Sequence, residues 1–243
     1  MTLEIRKLPT FVDGLDETLG GGMPAGHVIL VSGLPGTMKS TLAYAILHGN
    51  ARNRGAKGLY ISLEQTRKSL ETQMAAMGFE VEAVRGDVHI LDVGTIQKEV
   101  GKSATRPWME FLRRTMQTNK DIDGVDLVVL DSLEALEVLA KFEDRRTELF
   151  RFFEWLRDLG ATTLVLTEAA SEAAFLGLEA PQPRRDETFL ADGIIELKMH
   201  EISDIEVQRR IRVNKMRGSH HKTGFYALVF EEGRFQITPV ISP

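Results

Sequence analysis

Gly33-Leu34-Pro35-Gly36-Thr37-Met38-Lys39-Ser40-Thr41 runs directly from the apolar segment Val28–Ser32 into a stretch with helical spacing. Small residues between a strand and a helix let backbone N–H groups wrap a phosphate, and the helix N-terminus adds partial positive charge. A lysine then meets the β and γ oxygens, and the hydroxyl after it serves a divalent cation. All of these parts are present. Met38 stands immediately before the lysine, where a glycine would carry a left-handed backbone without strain. The stretch reads as a phosphate-binding loop, with Gly33 through Thr41 as nucleotide contacts, rather than as an ordinary glycine-rich turn.

Working outward, apolar runs recur at His27–Ser32, Gly58–Ser62, Val88–Leu91, Asp126–Leu130 and Thr163–Thr167. They are apolar on successive residues, the pattern of strands buried on both faces of a parallel sheet. Helical spacing predicts helices at Ser40–Asn53, Thr66–Met77, Pro107–Thr118, Leu133–Ala140 and Arg145–Leu159, the last closed by Gly160. Beyond residue 186 the predicted elements are strands: Gly193–Met199, Glu206–Val213, Phe225–Phe230 and Arg234–Thr238, separated by short turns. Sequential strands with short turns make antiparallel hairpins. The fold class is therefore α/β, with a mostly parallel central sheet covered by helices and a C-terminal antiparallel extension. With no linker and no internal repeat, residues 1–243 read as one domain.

Three carboxylates stand where such a sheet presents its ligands, at the C-terminal ends of strands. Glu64, after the run ending at Ser62, can orient or deprotonate the water that attacks a γ-phosphate; otherwise it caps the next helix. Its neighbour Gln65 cannot take a proton. Asp131 emerges after Leu127–Leu130 and can hold Mg²⁺ together with Ser40; the competing role is a helix N-cap by Asp131 or Ser132. Glu168, at the tip of the Thr163–Thr167 run, is placed by the same logic to sense the γ-phosphate.

Composition narrows the rest. The chain has 243 residues, 43% hydrophobic and 27% charged, in the range of a globular protein with a core that needs no disulfide. Lys plus Arg number 30 against 35 acidic residues, a net charge of −5, which argues against a protein whose main task is coating nucleic acid or anionic lipid. Without cysteine there is no thiolate nucleophile and no Cys-ligated metal. The first residues lack the apolar core of a signal peptide, and the apolar runs fall far short of the about 20 residues of a membrane helix, so the expectation is a soluble cytoplasmic protein.

Further signals weigh less. Adjacent His220 and His221 lack a third ligand for a metal, and Asp121–Asp126 lacks the closing glutamate of a Ca²⁺ loop. Arg184-Arg185, with Arg209, Arg210 and Arg212, could line a pore and touch nucleic acid, but no aromatic residue is interleaved. Residues 169–185 read as a loop.

On these residues the chain resembles the KaiC family of RecA-fold ATPases over nearly its full length. Thr10–Asp16 and Gly20–Gly26 are similar to that family's lead into the phosphate loop, and Phe189–Ile195 to its approach to the antiparallel strands. Most specific is Lys215-Met216-Arg217-Gly218-Ser219-His220-His221, similar to a Lys-x-Arg-Gly hairpin that reaches the neighbouring subunit's nucleotide. The resemblance implies that Lys215 and Arg217 act in trans on the γ-phosphate, with His221 near the nucleotide. It departs from the family at Met38, usually glycine, and at Glu64-Gln65, often two glutamates. Thr188 stands close to the phosphoryl-acceptor hydroxyls of the clock-type second domain, but without their neighbouring hydroxyl, and autophosphorylation is not expected.

The expectation is an ATPase that binds ATP and Mg²⁺ between copies of itself, as a hexameric ring, with a regulatory or signalling role through an unidentified protein partner. Lys39 would hold the β/γ-phosphates, Ser40 and Asp131 the magnesium, Glu64 the water. Two alternatives stand beside it: a recombinase-paralogue or loader-type ATPase acting on DNA, and a nucleotide-gated scaffold with little hydrolysis.

Overall fold

The computed structural model describes residues 5–92, 94–95, 108–168 and 186–240. Nine strands form the main sheet in the order β11-β10-β9-β8-β3-β7-β6-β4-β5. Six run parallel: β3 (Val28–Gly33), β4 (Gly58–Ser62), β5 (Val88–Asp92), β6 (Leu127–Asp131), β7 (Thr162–Glu168) and β8 (Gly193–Ser203). Three more continue antiparallel from β8: β9 (Glu206–Met216), β10 (Tyr226–Glu231) and β11 (Arg234–Pro239). Two short strands, β1 (Lys7–Leu8) and β2 (Met23–Pro24), pair separately, with a four-residue helix, α1 (Leu15–Thr18), between them.

Each predicted parallel strand is present, and β4 has the predicted limits. The continuous apolar runs are explained by packing on both faces. Ile29, Val31, Tyr60 and Val129 join one buried cluster with helix α2 (Lys39–Arg54) and helix α3 (Arg67–Ala76). Val28, Leu30, Ile61 and Val128 join the other, under helices α4 (Trp108–Asp123), α5 (Leu133–Ala140) and α6 (Arg145–Leu159). Helices α5 and α6 match their expected limits because their ends carry local stop signals. Ser132 accepts a hydrogen bond from the Ala135 N–H, Asp144 accepts one from Thr147 N–H, and Gly160 closes α6 at φ 70°.

The antiparallel extension is longer than the sequence pattern indicates. Past Leu197, where β3 ends, β8 and β9 continue as a two-stranded ribbon to the pair Ser203↔Glu206. Its exposed, mixed residues carry no clean alternation, so the pattern stopped at Met199. A short helix, α7 (Asp186–Leu190), precedes β8. The predicted loop 169–185, including Arg184 and Arg185, lies outside the described residues, as does Pro107. Among the described residues no helix is long and apolar enough to cross a membrane.

Candidate functional site

The ends of four parallel strands meet at one edge of the sheet. Gly33 lies opposite Glu168, and Ser62 opposite Asp131. Between them opens a cavity of about 490 Å³, lined by Pro35, Gly36, Met38, Lys39, Ser40, Thr41, Glu64, Asp131, Ser132, Glu168 and Arg209 among others.

The loop's own hydrogen bonds shape it. Thr37 donates through its hydroxyl to the Leu34 carbonyl at 2.7 Å, and the Lys39 ammonium donates to the carbonyls of Gly33 (2.7 Å) and Leu34 (3.3 Å). Lys39 thus lies folded along the loop, at the cavity's edge. Gly33 is required by proximity: a Cβ there would stand 2.6 Å from Thr37 Oγ1 and 2.8 Å from the Leu197 carbonyl. Met38 takes φ 72°, ψ 31°, the left-handed conformation that favours glycine, and sits at the N-terminal boundary of α2. The methionine therefore bears the backbone strain foreseen for that position, roughly 1–2 kcal/mol.

Asp131 and Glu64 face the loop from β6 and the end of β4. Burial pushes the Asp131 carboxyl above its ordinary range, while hydrogen bonds from Tyr60 and Ser40 and the Lys39 charge draw it back. The Tyr60 hydroxyl donates to Asp131 Oδ2 at 2.6 Å; burial raises the phenol far above its usual range, so it remains a donor. Ser132 serves as the helix cap, which leaves Asp131 free of that role, and its hydroxyl also donates to Glu64 Oε1. Gln65 turns away: its side chain accepts from the Ser69 hydroxyl at 3.2 Å. Glu168 sits at the exposed end of β7, its backbone N–H donating to Glu134 Oε1 at 2.9 Å.

Tyr60→Phe is expected to leave Asp131 Oδ2 without its buried donor and to lower stability by about 1–3 kcal/mol. Chemical denaturation measures this; an unchanged midpoint means that water or Ser40 replaces the phenol.

Lys215, Arg217 and His221 lie elsewhere. Gly193 pairs with both Ile29 and Met216, which sets the end of β9 beside the start of β3, and the Arg217 carbonyl meets His27 Nε2 at 3.2 Å. Six residues of β3, roughly 20 Å of strand, separate this end from the loop. Here Lys215 donates to the carbonyls of Ala191 (2.6 Å) and Thr188 (3.1 Å) at the end of α7, and Arg217 donates to Asp192 Oδ1 at 2.9 Å. The Arg217 side chain remains 53% exposed. His221 Nδ1 donates locally, to the Ser219 carbonyl at 3.2 Å.

The model of the ATPase family KaiC matches residues 8–240. The chain belongs to the KaiC ATPase family. It is 28% identical to the "Circadian clock protein KaiC2" of Synechocystis sp., an alignment covering 99% of this chain and 41% of that protein, so it spans about two fifths of that relative's length. A UPF0273 protein of Pyrococcus furiosus is 30% identical, with 89% of this chain and 87% of that one aligned. The crystal structure of a KaiC-like protein from Pyrococcus horikoshii superposes with TM-score 0.78 at 24% identity, covering 97% of this chain and 100% of that one; it attests the fold.

For this KaiC-family chain, membership supports a nucleotide-binding role, typically with a metal ion. The donor set fits: a loop cation, a hydroxyl at Ser40 and a buried carboxylate at Asp131 share one cavity. Sequence reasoning missed Tyr60 in this site and read Ser132 only as a candidate helix cap; for Arg209 it offered a pore-lining role of little weight. Arg209 instead donates to the Gly36 carbonyl at 3.3 Å. Arg212 is likewise spent inside the fold, on Glu196 at 2.7 Å.

Proposed function

We propose that this chain is a single ATPase unit that binds Mg-ATP and hydrolyses it slowly at interfaces between copies in a closed ring, with a hexamer as the expected closure. One observation carries the reading. Lys39, Ser40, Glu64 and Asp131 converge on one cavity, whereas Lys215 and Arg217 sit at the far end of β3, so no copy can bring its own Arg217 to its own loop.

Each group has a part in that reaction. The phosphate loop and Lys39 hold the triphosphate. Ser40 and Asp131 would hold Mg²⁺, which offsets phosphate charge. Glu64, steadied by the Ser132 hydroxyl, orients water and takes its proton. Arg217 and Lys215 of the adjoining copy supply positive charge that a self-contained site lacks. Gln65, turned to Ser69, adds no second base, which is why slow turnover is proposed. The nucleotide state would be read by a regulatory or signalling partner in the cytoplasm. The internal use of Arg209 and Arg212 and the net charge of −5 weigh against DNA as that partner.

Glu64→Gln tests the base. Glutamine binds water but accepts no proton, so phosphate release is expected to fall by about 10²–10⁴ with ATP affinity retained. Release at the parent rate assigns the base to another group. A parent protein that releases no phosphate would instead be a nucleotide-gated scaffold.

A further inference from the structure

Gly33, at the base of the phosphate loop, pairs with Leu197 of β8, and Leu197 pairs with Ile211 of β9. Two residues further along the ribbon, Met199 pairs with Arg209. At roughly 3.3 Å per residue, the Arg209 backbone stands about 7 Å beyond the level of Gly33, and its Nε donates to the Gly36 carbonyl. The face is fixed as well. Ile211 and Val213 join the buried cluster that contains the apolar side of α2, so Arg209, two residues before Ile211, shares that face of β9. Arg210 takes the other face, where it donates to Gln208 at 2.9 Å.

Among the described residues, the neutral Gly36 carbonyl is the one acceptor for Arg209, and no carboxylate pairs with it. That bond occupies one of the five N–H donors of a guanidinium and leaves its charge unopposed. Arg212, by contrast, gives two bonds to the Glu196 carboxylate. The cavity that Arg209 lines is short of positive charge. Glu64, Asp131 and Glu168 line it together with Lys39 and Arg209, so Lys39 alone would set one cation against three carboxylates where a polyphosphate enters. Glu64 and Asp131 approach from β4 and β6, on one side of β3, whereas Arg209 approaches from β9, on the other. A planar guanidinium meets two phosphate oxygens at once.

We propose that Arg209 is a second phosphate-binding cation, which turns from the Gly36 carbonyl onto the polyphosphate of a nucleotide held on its own chain's loop. This rests on the phosphate-site reading above and adds to it a contact made within one chain. It is independent of Arg217 and of any neighbouring copy.

Calorimetric titration with Mg-ATP tests it. Arg209→Gln is expected to weaken binding about 10–100-fold, the loss of a bond to a charged group. Arg209→Lys keeps the charge and should recover part of that loss. Added KCl should weaken binding less steeply in Arg209→Gln than in the parent, because one screened attraction is gone. Arg210→Gln removes the same charge from the opposite face of β9 and should bind like the parent. Arg209 is exposed, so its replacement leaves the core intact, which circular dichroism checks. Equal losses in Arg209→Gln and Arg209→Lys, with the parent's salt dependence, would mean that Arg209 only shapes the loop through Gly36, and overturn the proposal. The same loss in Arg210→Gln would overturn it too, as an effect of net charge. Parent-like binding by Arg209→Gln beside lost binding in Lys39→Ala removes Arg209 from the site and leaves the phosphate loop standing. If Lys39→Ala also binds like the parent, the phosphate-site reading fails and the role of Arg209 with it.

Discussion

Lys39→Ala is expected to lose ATP binding by a factor of roughly 10²–10⁴. A hydrogen bond to a charged group contributes about 1.5–3 kcal/mol, the ammonium would serve two phosphates, and each 1.4 kcal/mol is about tenfold. The fold should persist, since the bonds lost are those to the Gly33 and Leu34 carbonyls at the cavity's edge. Calorimetric titration with Mg-ATP supplies the number, and an unchanged circular dichroism spectrum guards against unfolding. Parent-like affinity would overturn the assignment of Gly33–Thr41 as the phosphate site.

The second large effect concerns Arg217. An arginine supplied across an interface is worth about 10³–10⁵ in rate where hydrolysis depends on it, with a smaller effect in a slow ATPase. Arg217→Ala should therefore bind ATP through its intact loop yet hydrolyse it poorly. Mixing separates action across an interface from action within a chain. Glu64→Gln copies keep the arginine and lose the base; Arg217→Ala copies keep the base and lose the arginine. Co-assembled, some interfaces pair an intact Glu64 with an intact Arg217, so activity should exceed that of either protein alone. A mixture shown to have exchanged copies, and still as inactive as its parts, removes Arg217 from the neighbour's site. The variant also frees Asp192 from one of its two arginines, so stability is checked beside the rate.

What could be read from the sequence follows the range of the interactions involved. The strand-to-helix turn at Gly33–Lys39, the Gly58–Ser62 strand and the helices Leu133–Ala140 and Arg145–Leu159 were legible because their signals are local: apolar runs, Ser132 and Asp144 as caps, Gly160 as a stop. Strain at Met38 could be anticipated from one missing glycine. Tyr60 could not be anticipated, since its partner Asp131 lies 71 positions away and a buried tyrosine in an apolar run looks like any other core residue. The contact of Arg209 was not legible either: with Arg210 and Arg212 it makes a basic stripe on paper, while β9 alternates faces and turns Arg209 alone onto Gly36. Lys7–Leu8 and Met23–Pro24 were too short to announce themselves as strands.

The placement of Lys215 and Arg217 at the far end of β3 has a consequence for counting. Under the proposed reading, each chain offers half a site at one pole and the missing half at the other. An open row of n copies then holds n−1 finished sites, because its last cavity faces no neighbour; only closure finishes all n. Turnover per chain would vanish on dilution, climb with the length of the row, and step up once more when the row closes.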